Sequence, residues 1–253
     1  MQRNDSSPSI SVLTSTLGQE GLGYTAESLA GQTKLPDEWI VKDAITTSEA
    51  KTDWRQVIPE SIDIKYIPKR DAGLSDGLNQ GLDMTSGDIV ALLHNADGYA
   101  PEFLARMSSD LPERTVRYCD VIWTKNEKPF MTRQSKDSIS MPIYDMPRVN
   151  HPTFVCHRTV YEEVGYFSTD YKIAMDLDWL LRALALGIRF ERVPFPLYMM
   201  DSMGLSHSNF STMKAEVSAI CSEHGSFDSK ILFELHWLQR RSKLLLKSLL
   251  ARG

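Results

Sequence analysis

The chain has no long apolar run. No stretch of its 253 residues approaches the ~20 apolar residues that cross a bilayer. The opening segment, MQRNDSSPS, lacks the apolar core of a secretory signal peptide. We therefore expect a cytoplasmic protein.

Cysteine and clustered positive charge are also scarce. The three cysteines, Cys119, Cys156 and Cys221, lack the close pairing of a zinc or redox motif, so we expect reduced, buried thiols. The formal net charge of −5 argues against a general nucleic-acid binder, because phosphate contacts need clustered cations. Apolar residues make up 42% of the chain, which is typical of a globular protein.

Dinucleotide-binding motifs are missing as well. The glycine-rich segment GQEGLG does not have the order G-x-G-x-x-G, which argues against a nicotinamide or flavin enzyme. No pair among the six histidines has helical metal-binding spacing. His151, in VNHPTF, precedes a predicted strand near the rim of the expected crevice, and both a structural and a catalytic role are open for it.

Short β-rich runs alternate with longer helical stretches up to about residue 93. The runs SISVLTS, EWIVKD, IDIKYI and DIVALL predict a parallel sheet covered on both faces. The intervening EGLGYTAESLAGQ, TTSEAKTDWRQVI and GLSDGLNQGLDMTSG are each long enough for a crossover helix. This is the pattern of a nucleotide-binding half-domain, in which ligands sit beyond the carboxyl ends of the strands.

The rest of the chain is less regular. CDVIWT, TFVCHR and RFERVP predict strands, and MTRQSKDSISMPIYDMPR predicts a loop or short hairpin. TVYEEV and MDLDWLLRALAL predict helices that end at Gly165 and Gly187. Beyond Met203 the pattern predicts two helices around Gly225.

Polar residues follow two of the predicted parallel strands. Asp43 ends the second strand and Asp97 follows the fourth, so both should face one crevice. Asn95 and Asp97 could supply the oxygen ligands that suit Mg²⁺ or Mn²⁺ carrying substrate phosphates. A turn or cap is the alternative role for Asp97.

Two acidic residues begin the helix MDLDWLLRALAL. Residues two apart on a helix differ by about 200° in direction, so Asp176 and Asp178 cannot both point into one site. Asp178 stands four residues before Arg182, which favours a structural ion pair. Asp176 has no such partner, and the positive end of the helix dipole would keep it ready to accept a proton. A simple first-turn cap is its alternative role.

Taken in order, these segments resemble the family 2 glycosyltransferases, which are inverting enzymes of the GT-A fold. The segment KRDAGLSDGLNQGLDMTSGDIVALLHNADGYAP is similar to the family's stretch D-x-G-x-x-x-A-x-N-x-G-x-x-x-A-x-G-D, five apolar residues and D-x-D. SISVLTSTLGQEGLGYTAESLAGQT and EWIVKDAITT resemble its opening elements, and NHPTFVCHRTVYEEVGYFSTDYKIAMDLDWLLRALALG resembles its acceptor-side half. The resemblance covers residues 8 to 205.

The resemblance implies a role for each matching position. Asp43 and Asp71 would hold the uracil or thymine and the ribose of a nucleotide-sugar donor, and Asp176 would be the base that deprotonates the acceptor hydroxyl. A Mn²⁺ or Mg²⁺ ion at Asn95 and Asp97 would bridge the donor phosphates. The full predicted donor set is Thr14, Asp43, Asp71, Gly73, Asp76, Asn79, Asn95 and Asp97, and the acceptor side is His151, Met175, Gly204 and Ser206.

The chain departs from the family pattern at two motifs. Asn95 replaces the first Asp of the metal motif, and Gly98 replaces the usual acidic residue after it. A gap-free alignment instead puts Ala96 at the metal-liganding position. Met175 stands where the family commonly has Glu, which predicts a different choice of acceptor.

The C-terminal segment FELHWLQRRSKLLLKSLLARG combines leucines with five cations. Such a helix could lie on an anionic bilayer, or could be a docking or dimer helix with a solvated cationic face.

Together these observations predict an α/β protein of the GT-A type with a mostly parallel, Rossmann-like central sheet flanked by helices. Residues 1–97 would bind the nucleotide sugar, 98–205 the acceptor, and 206–253 would form a C-terminal helical extension. We expect transfer to a saccharide or lipid-linked saccharide of a bacterial surface polysaccharide, in the cytoplasm or at the inner face of the membrane. The alternatives are a nucleotide-sugar-binding protein without transferase activity, and a nucleotidyltransferase.

Overall fold

The computed structural model describes residues 7–46, 53–202, 209–226 and 229–250, with side chains to residue 242. The strands are β1 (Ile10–Thr16), β2 (Glu38–Asp43), β3 (Asp63–Pro68), β4 (Ile89–Leu92), β5 (Gly98–Tyr99), β6 (Thr115–Lys125), β7 (Lys128–Arg133), β8 (Val155–His157) and β9 (Arg189–Asp201). The helices are α1 (Leu22–Ala30), α2 (Leu74–Leu82), α3 (Phe103–Ser108), α4 (Arg158–Val164), α5 (Met175–Ala185), α6 (Phe210–Glu223) and α7 (Lys230–Leu250).

The strands form one sheet in the order β3-β2-β1-β4-β8-β6-β9-β5, with β7 paired to the outer part of β6. The first four strands are parallel, as the alternating pattern predicted. Strand β8 runs antiparallel to both β4 and β6, while β6 and β9 are parallel. The α/β fold is confirmed, and the fully parallel, Rossmann-like part lies within the half that was predicted to bind the nucleotide sugar.

The central strands are buried on both faces. Along β4, Ile89 and Ala91 join one hydrophobic core, and Val90 and Leu92 join the other. Successive side chains of a strand point to opposite faces, so a strand between two helical layers must be apolar throughout. This explains the continuous apolar runs of β1 and β4, and it fixes where their carboxyl ends emerge.

Two predicted elements differ in the structure. The stretch TTSEAKTDWRQVI was predicted to be a crossover helix, but its described part is a single 3₁₀ turn, Trp54–Val57. Trp54 is buried there and the Asp53 side chain accepts from the Arg55 N–H, so burial and a local cap favour the short turn. The strand predicted at RFERVP continues to Asp201, and its register against β6 shifts around its two prolines.

The predicted C-terminal extension is present as α6 and the long helix α7. Phe233 and Trp237 of α7 are buried, and the Trp237 Nε1–H donates to the carbonyl of Tyr144 at 2.8 Å. Arg240 pairs with Asp145. The first part of α7 therefore docks on the loop before β8. Within the described residues, no helix has the length and apolar content needed to cross a bilayer.

Candidate active site

The loops after β1 and β4 meet at the carboxyl edge of the parallel strands. Asn95 Nδ2 donates to Thr16 Oγ1 and to the Glu20 carbonyl, each at 2.7 Å. Gly21 has φ of 94°, and a Cβ there would lie 3.0 Å from the Cβ of Ala96. Only glycine fits this approach without strain, so the first loop is held close to the HNADG segment.

Asp43 joins the loop after β1 to the end of β2. Its carboxylate is fully buried and accepts hydrogen bonds from Gly18 N at 2.8 Å, Ile45 N at 2.9 Å and the Tyr66 hydroxyl at 2.8 Å. Direct contact between Asp43 and a nucleobase would require one of these groups to move. That contact stays a prediction.

Aromatic residues beside Asp43 were missed by the sequence analysis. Gln19 donates to the Tyr66 hydroxyl at 3.1 Å and accepts from Trp54 Nε1 at 2.8 Å. The Arg55 guanidinium lies 4.3 Å from the Trp54 ring centroid and 4.9 Å from that of Tyr66. Aromatic residues are ordinarily core, so nothing in the sequence marked this hydrogen-bonded aromatic group beside Asp43.

Asp71 forms a buried ion pair with Lys42. Lys42 Nζ lies 2.7 Å from Asp71 Oδ2, and their side chains are 0% and 5% exposed. The other Asp71 oxygen accepts from Gly73 N at 3.2 Å. A buried charge needs such a partner, and Lys42 was not among the predicted site residues because it stands inside a strand.

Three predicted donor-binding residues have structural roles instead. Thr14 is fully buried, donates to the Leu93 carbonyl and accepts from Trp39 Nε1, so it cannot reach a donor. Asn79 pairs its amide with the backbone N–H and carbonyl of Phe167 at 3.0 and 2.8 Å.

Asp76 supports the start of α2. It accepts from Ala72 N at 2.8 Å, and this hydrogen bond lowers the pKa of its carboxyl. Gly73, the N-cap of α2, is exposed with φ of 133°, so its contact with the donor stays a prediction.

The Asp97 carboxyl is bound to the carboxyl-terminal part of β9. Its two oxygens accept from the Tyr198 hydroxyl at 2.8 Å and from Asp201 N at 2.7 Å, and the residue is 6% exposed. Burial raises the pKa of its carboxyl to about 7. The Asp97 carboxyl thus ties the β4 loop to the end of β9.

The two predicted metal ligands, Asn95 and Asp97, differ in how their oxygen atoms are used. Both Asp97 oxygens already have partners, and Asn95 offers one neutral oxygen, Oδ1, which is buried without a hydrogen-bond partner. Across the described ranges, no three His, Cys, Asp or Glu side chains are grouped as a metal-ion site. Mg²⁺ is commonly held by one or two carboxylates together with waters and substrate phosphates, so the role of Asn95 and Asp97 as metal ligands stays a prediction.

Two histidines lie between the β4 loop and α5. The rings of His94 and His151 are 6.2 Å apart, and burial lowers their pKa values to about 4 and about 3. Both imidazoles are therefore neutral near pH 7. His151 Nε2 is buried and has no hydrogen-bond partner.

Asp176 begins α5 beside a small cavity that His151 also lines. The cavity of about 10 Å³ is otherwise bounded by apolar side chains, and it has about the space that one water molecule needs. Asp176 Oδ1 accepts from Leu177 N at 2.9 Å. Burial raises the pKa of this carboxyl to about 7, as suits a proton acceptor.

Asp178 has the structural role that its spacing predicted. It pairs with Arg182 at 2.9 Å and with His224 Nε2 of the turn after α6 at 3.2 Å. Arg182 also donates to the carbonyls of Val164 and Tyr166. The two acids at the start of α5 therefore face different surroundings, and only Asp176 borders the cavity.

The other residues predicted for the acceptor side have different positions in the structure. His151 lies beside Asp176, as above. Met175 is 3% exposed within the main core, so its side chain is not available to an acceptor. Gly204 and Ser206 lie outside the described residues.

A known family matches most of the chain. The chain matches the model described as glycosyl transferase family 2 over residues 11–174. It belongs to glycosyltransferase family 2. The match ends two residues before Asp176, so it spans the parallel half, the β4 loop and the segment that leads into α5. The matching family is a glycosyltransferase family, not the nucleotidyltransferase of the alternative prediction.

A curated relative of this glycosyltransferase is the Bacillus subtilis (strain 168) protein named uncharacterized glycosyltransferase YwdF. The two are 28% identical over 177 residues, which cover 66% of this chain and 64% of the relative. The chain thus spans just under two thirds of the relative's length.

Solved structures of S. aureus TarS share the fold of this glycosyltransferase. TarS 1-349 in complex with UDP-GlcNAc has a TM-score of 0.61 at 17% identity, covering 85% of this chain and 71% of that one. The complex with UDP has a TM-score of 0.61 at 18% identity, covering 85% and 65%. At this identity the likeness shows the GT-A fold alone.

If Asp97 is structural, its loss should destabilise the protein whether or not metal is present. We expect Asp97→Ala to lower the free energy of unfolding by roughly 1–3 kcal/mol, because the Tyr198 hydroxyl and Asp201 N–H lose their buried acceptor. Urea unfolding with Mn²⁺ and with EDTA measures this. Asp88→Ala is the matched control, since it also removes two hydrogen bonds, to Ser9, but at an exposed site. A loss for Asp97→Ala that appears only with Mn²⁺ would instead identify a metal ligand.

Proposed function

We propose that this protein is an inverting glycosyltransferase that moves a sugar from a UDP- or dTDP-linked donor to a saccharide or lipid-linked saccharide acceptor, with Asp176 as general base. The observation that carries the proposal is the Asp176 carboxyl beside its small cavity, with a pKa near 7 and a neutral His151 across from it. The family membership supports the reaction class.

The proposed step is a single displacement. The acceptor hydroxyl gives its proton to the Asp176 carboxylate, and its oxygen forms a bond to the anomeric carbon. The bond between that carbon and the diphosphate breaks on the opposite face, and its electron pair leaves with the nucleoside diphosphate. One displacement inverts the anomeric configuration, so one side-chain base is sufficient.

The neutral histidine suits this step. His151 Nε2 is unpartnered and lines the same cavity as Asp176. A neutral imidazole nitrogen donates or accepts a single hydrogen bond. We propose that His151 orients the acceptor hydroxyl, or a water in its place, toward Asp176.

The donor half of the proposal rests on the other loops. Asp71 with Lys42, and Asp43 with the Tyr66 and Trp54 surface, lie at the carboxyl edge where open α/β sheets bind ligands. TarS structures of the same fold hold UDP and UDP-GlcNAc. These observations favour a uracil- or thymine-containing nucleotide sugar for this chain.

Contact with the inner face of a bacterial membrane is a further part of the proposal, and it would suit a lipid-linked acceptor of surface polysaccharide synthesis. Ile231, Leu235 and Leu238 form a row on α7 and are 73%, 50% and 62% exposed, opposite the buried Phe233 and Trp237. Exposed cations, Lys230 and Arg241, flank this row. An apolar row between cations favours an anionic lipid surface.

Replacing the proposed base tests the mechanism. Asp176→Asn should reduce transfer at least 100-fold while donor affinity stays within about 2-fold, because the amide keeps the shape and loses basicity. Nucleoside diphosphate release measures turnover, and donor titration measures affinity. Asp178→Asn is the control, since loss of its ion pair should lower stability but leave the turnover of each folded molecule unchanged. Near-normal turnover of Asp176→Asn would remove Asp176 from the mechanism.

A panel of nucleotide sugars identifies the donor and tests metal use together. A bound donor should raise the melting temperature by mass action, and we expect UDP- or dTDP-sugars to give the largest rise. Because the chain supplies few metal ligands, the rise should persist in EDTA. A rise that requires Mn²⁺ would restore the metal predicted from the sequence. No response and no hydrolysis across the panel would favour a protein without transferase activity.

The apolar row of α7 can be tested with vesicles. Leu235→Glu with Leu238→Glu should abolish co-sedimentation with anionic phosphatidylglycerol vesicles, since both leucines would leave the apolar layer. Glu60→Gln, a distant exposed change, is the control. Unchanged co-sedimentation would contradict the membrane role, and a change from dimer to monomer in light scattering would identify α7 as a dimer helix.

A further inference from the structure

A single carboxylate from the C-terminal extension holds the segment that precedes α5. Glu216 of α6 accepts three consecutive backbone hydrogen bonds, from the N–H groups of Lys172, Ile173 and Ala174, each at 2.9 Å. Successive N–H groups that converge on one anion form a strong, geometrically specific binding site. Here the anion is part of the chain, so α6 and this segment are fixed together.

The segment held by Glu216 determines where α5 begins. Ala174 is the N-cap of α5, and its carbonyl accepts from Leu177 N at 3.1 Å and Asp178 N at 3.2 Å. Asp176 lies within this first turn, and its carboxylate accepts from Leu177 N. Any rotation of Ala174 would therefore move the Asp176 carboxylate relative to the cavity.

We propose that Glu216 is a positioning residue for Asp176, so that helix α6 is a functional part of the acceptor half rather than an appendage. The inference rests on the proposed function in taking Asp176 as the base. It also goes beyond the family match, which ends at residue 174 and does not include α6.

The charge of Glu216 acts on Asp176 as well. Burial is the larger cause of the raised pKa of Asp176, and repulsion from Glu216 adds to it. The other polar group at the cavity is His151, which is neutral. On α5 itself, Asp178 is paired with Arg182 and, across to the turn after α6, with His224. Lys172 lies in the segment whose backbone N–H groups donate to Glu216. Glu216 is thus an anion that both holds the turn and raises the basicity of Asp176.

The test is Glu216→Gln, which keeps the size of the side chain and removes its charge. The matched control is Glu223→Gln on the same helix. The Glu223 carboxylate accepts from the Tyr171 hydroxyl at 3.1 Å, whereas the three backbone N–H groups are bound by Glu216. Two readouts are needed. One is the ¹³C NMR titration of the Asp176 carboxyl, assigned by its loss in Asp176→Asn. The other is the pH profile of kcat/KM and the plateau of kcat with the donor identified above.

We expect Glu216→Gln to lower the titration midpoint of Asp176 by about 0.5 pH unit or more. The apparent pKa of the acid limb of the kcat/KM profile should fall by the same amount. The sign follows from removing a like charge, which makes the ionised base easier to form. The kcat plateau should fall several-fold, because the first turn of α5 is less firmly held. Glu223→Gln should leave all three values unchanged.

Several results would overturn the inference. An unmoved Asp176 midpoint in Glu216→Gln, or an equal shift in Glu223→Gln, would show that Glu216 has no specific effect on the base. If Glu216→Gln fails to fold, Glu216→Asp takes its place, because it keeps the charge but withdraws it from the three N–H groups. Glu216→Asp should lower kcat. An unchanged kcat would refute the positioning role. Full activity of Asp176→Asn would instead refute the proposed base, and the NMR midpoint still tests Glu216 independently.

Discussion

Carboxylates that accept backbone N–H groups connect the loops of this protein. Asp43 ties the β1 loop to β2, Asp97 ties the β4 loop to β9, and Glu216 ties α6 to the segment before α5. A buried carboxylate without such donors would be very costly, so each of these loops must keep its position for the fold to be stable. The edge of the sheet is therefore preorganised before any ligand arrives.

Asp176 differs from these carboxylates in a way that matters for chemistry. Its carboxylate accepts from Leu177 N within its own helix, and it borders a cavity. Desolvation without full compensation raises its pKa toward 7. Burial raises the pKa of Asp97 to about 7 as well, but both Asp97 oxygens are bonded to Tyr198 and Asp201, whereas the Asp176 carboxyl borders a cavity.

The β4 loop departs from the family motif, and its remaining carboxyl has a structural contact. Ala96 and Asn95 reduce the number of anionic ligands, and Asp97 turns toward Tyr198 and Asp201. The carboxyl that remains stabilises the junction between the two halves of the sheet. The donor side retains a buried ion pair, Lys42 with Asp71, and an aromatic surface around Tyr66.

The sequence by itself determined the α/β class, the parallel half, the helical extension and the ion pair of Asp178 with Arg182, because apolar periodicity and helical spacing are local properties. Tertiary structure alone decided that Thr14, Asn79 and Met175 are buried or bonded within the scaffold, that Lys42 pairs with Asp71, and that Glu216 binds the segment before α5. The physical reason is that a side chain's partners come from distant segments. Burial and hydrogen bonding, which set its charge and availability, exist only after those segments have packed together.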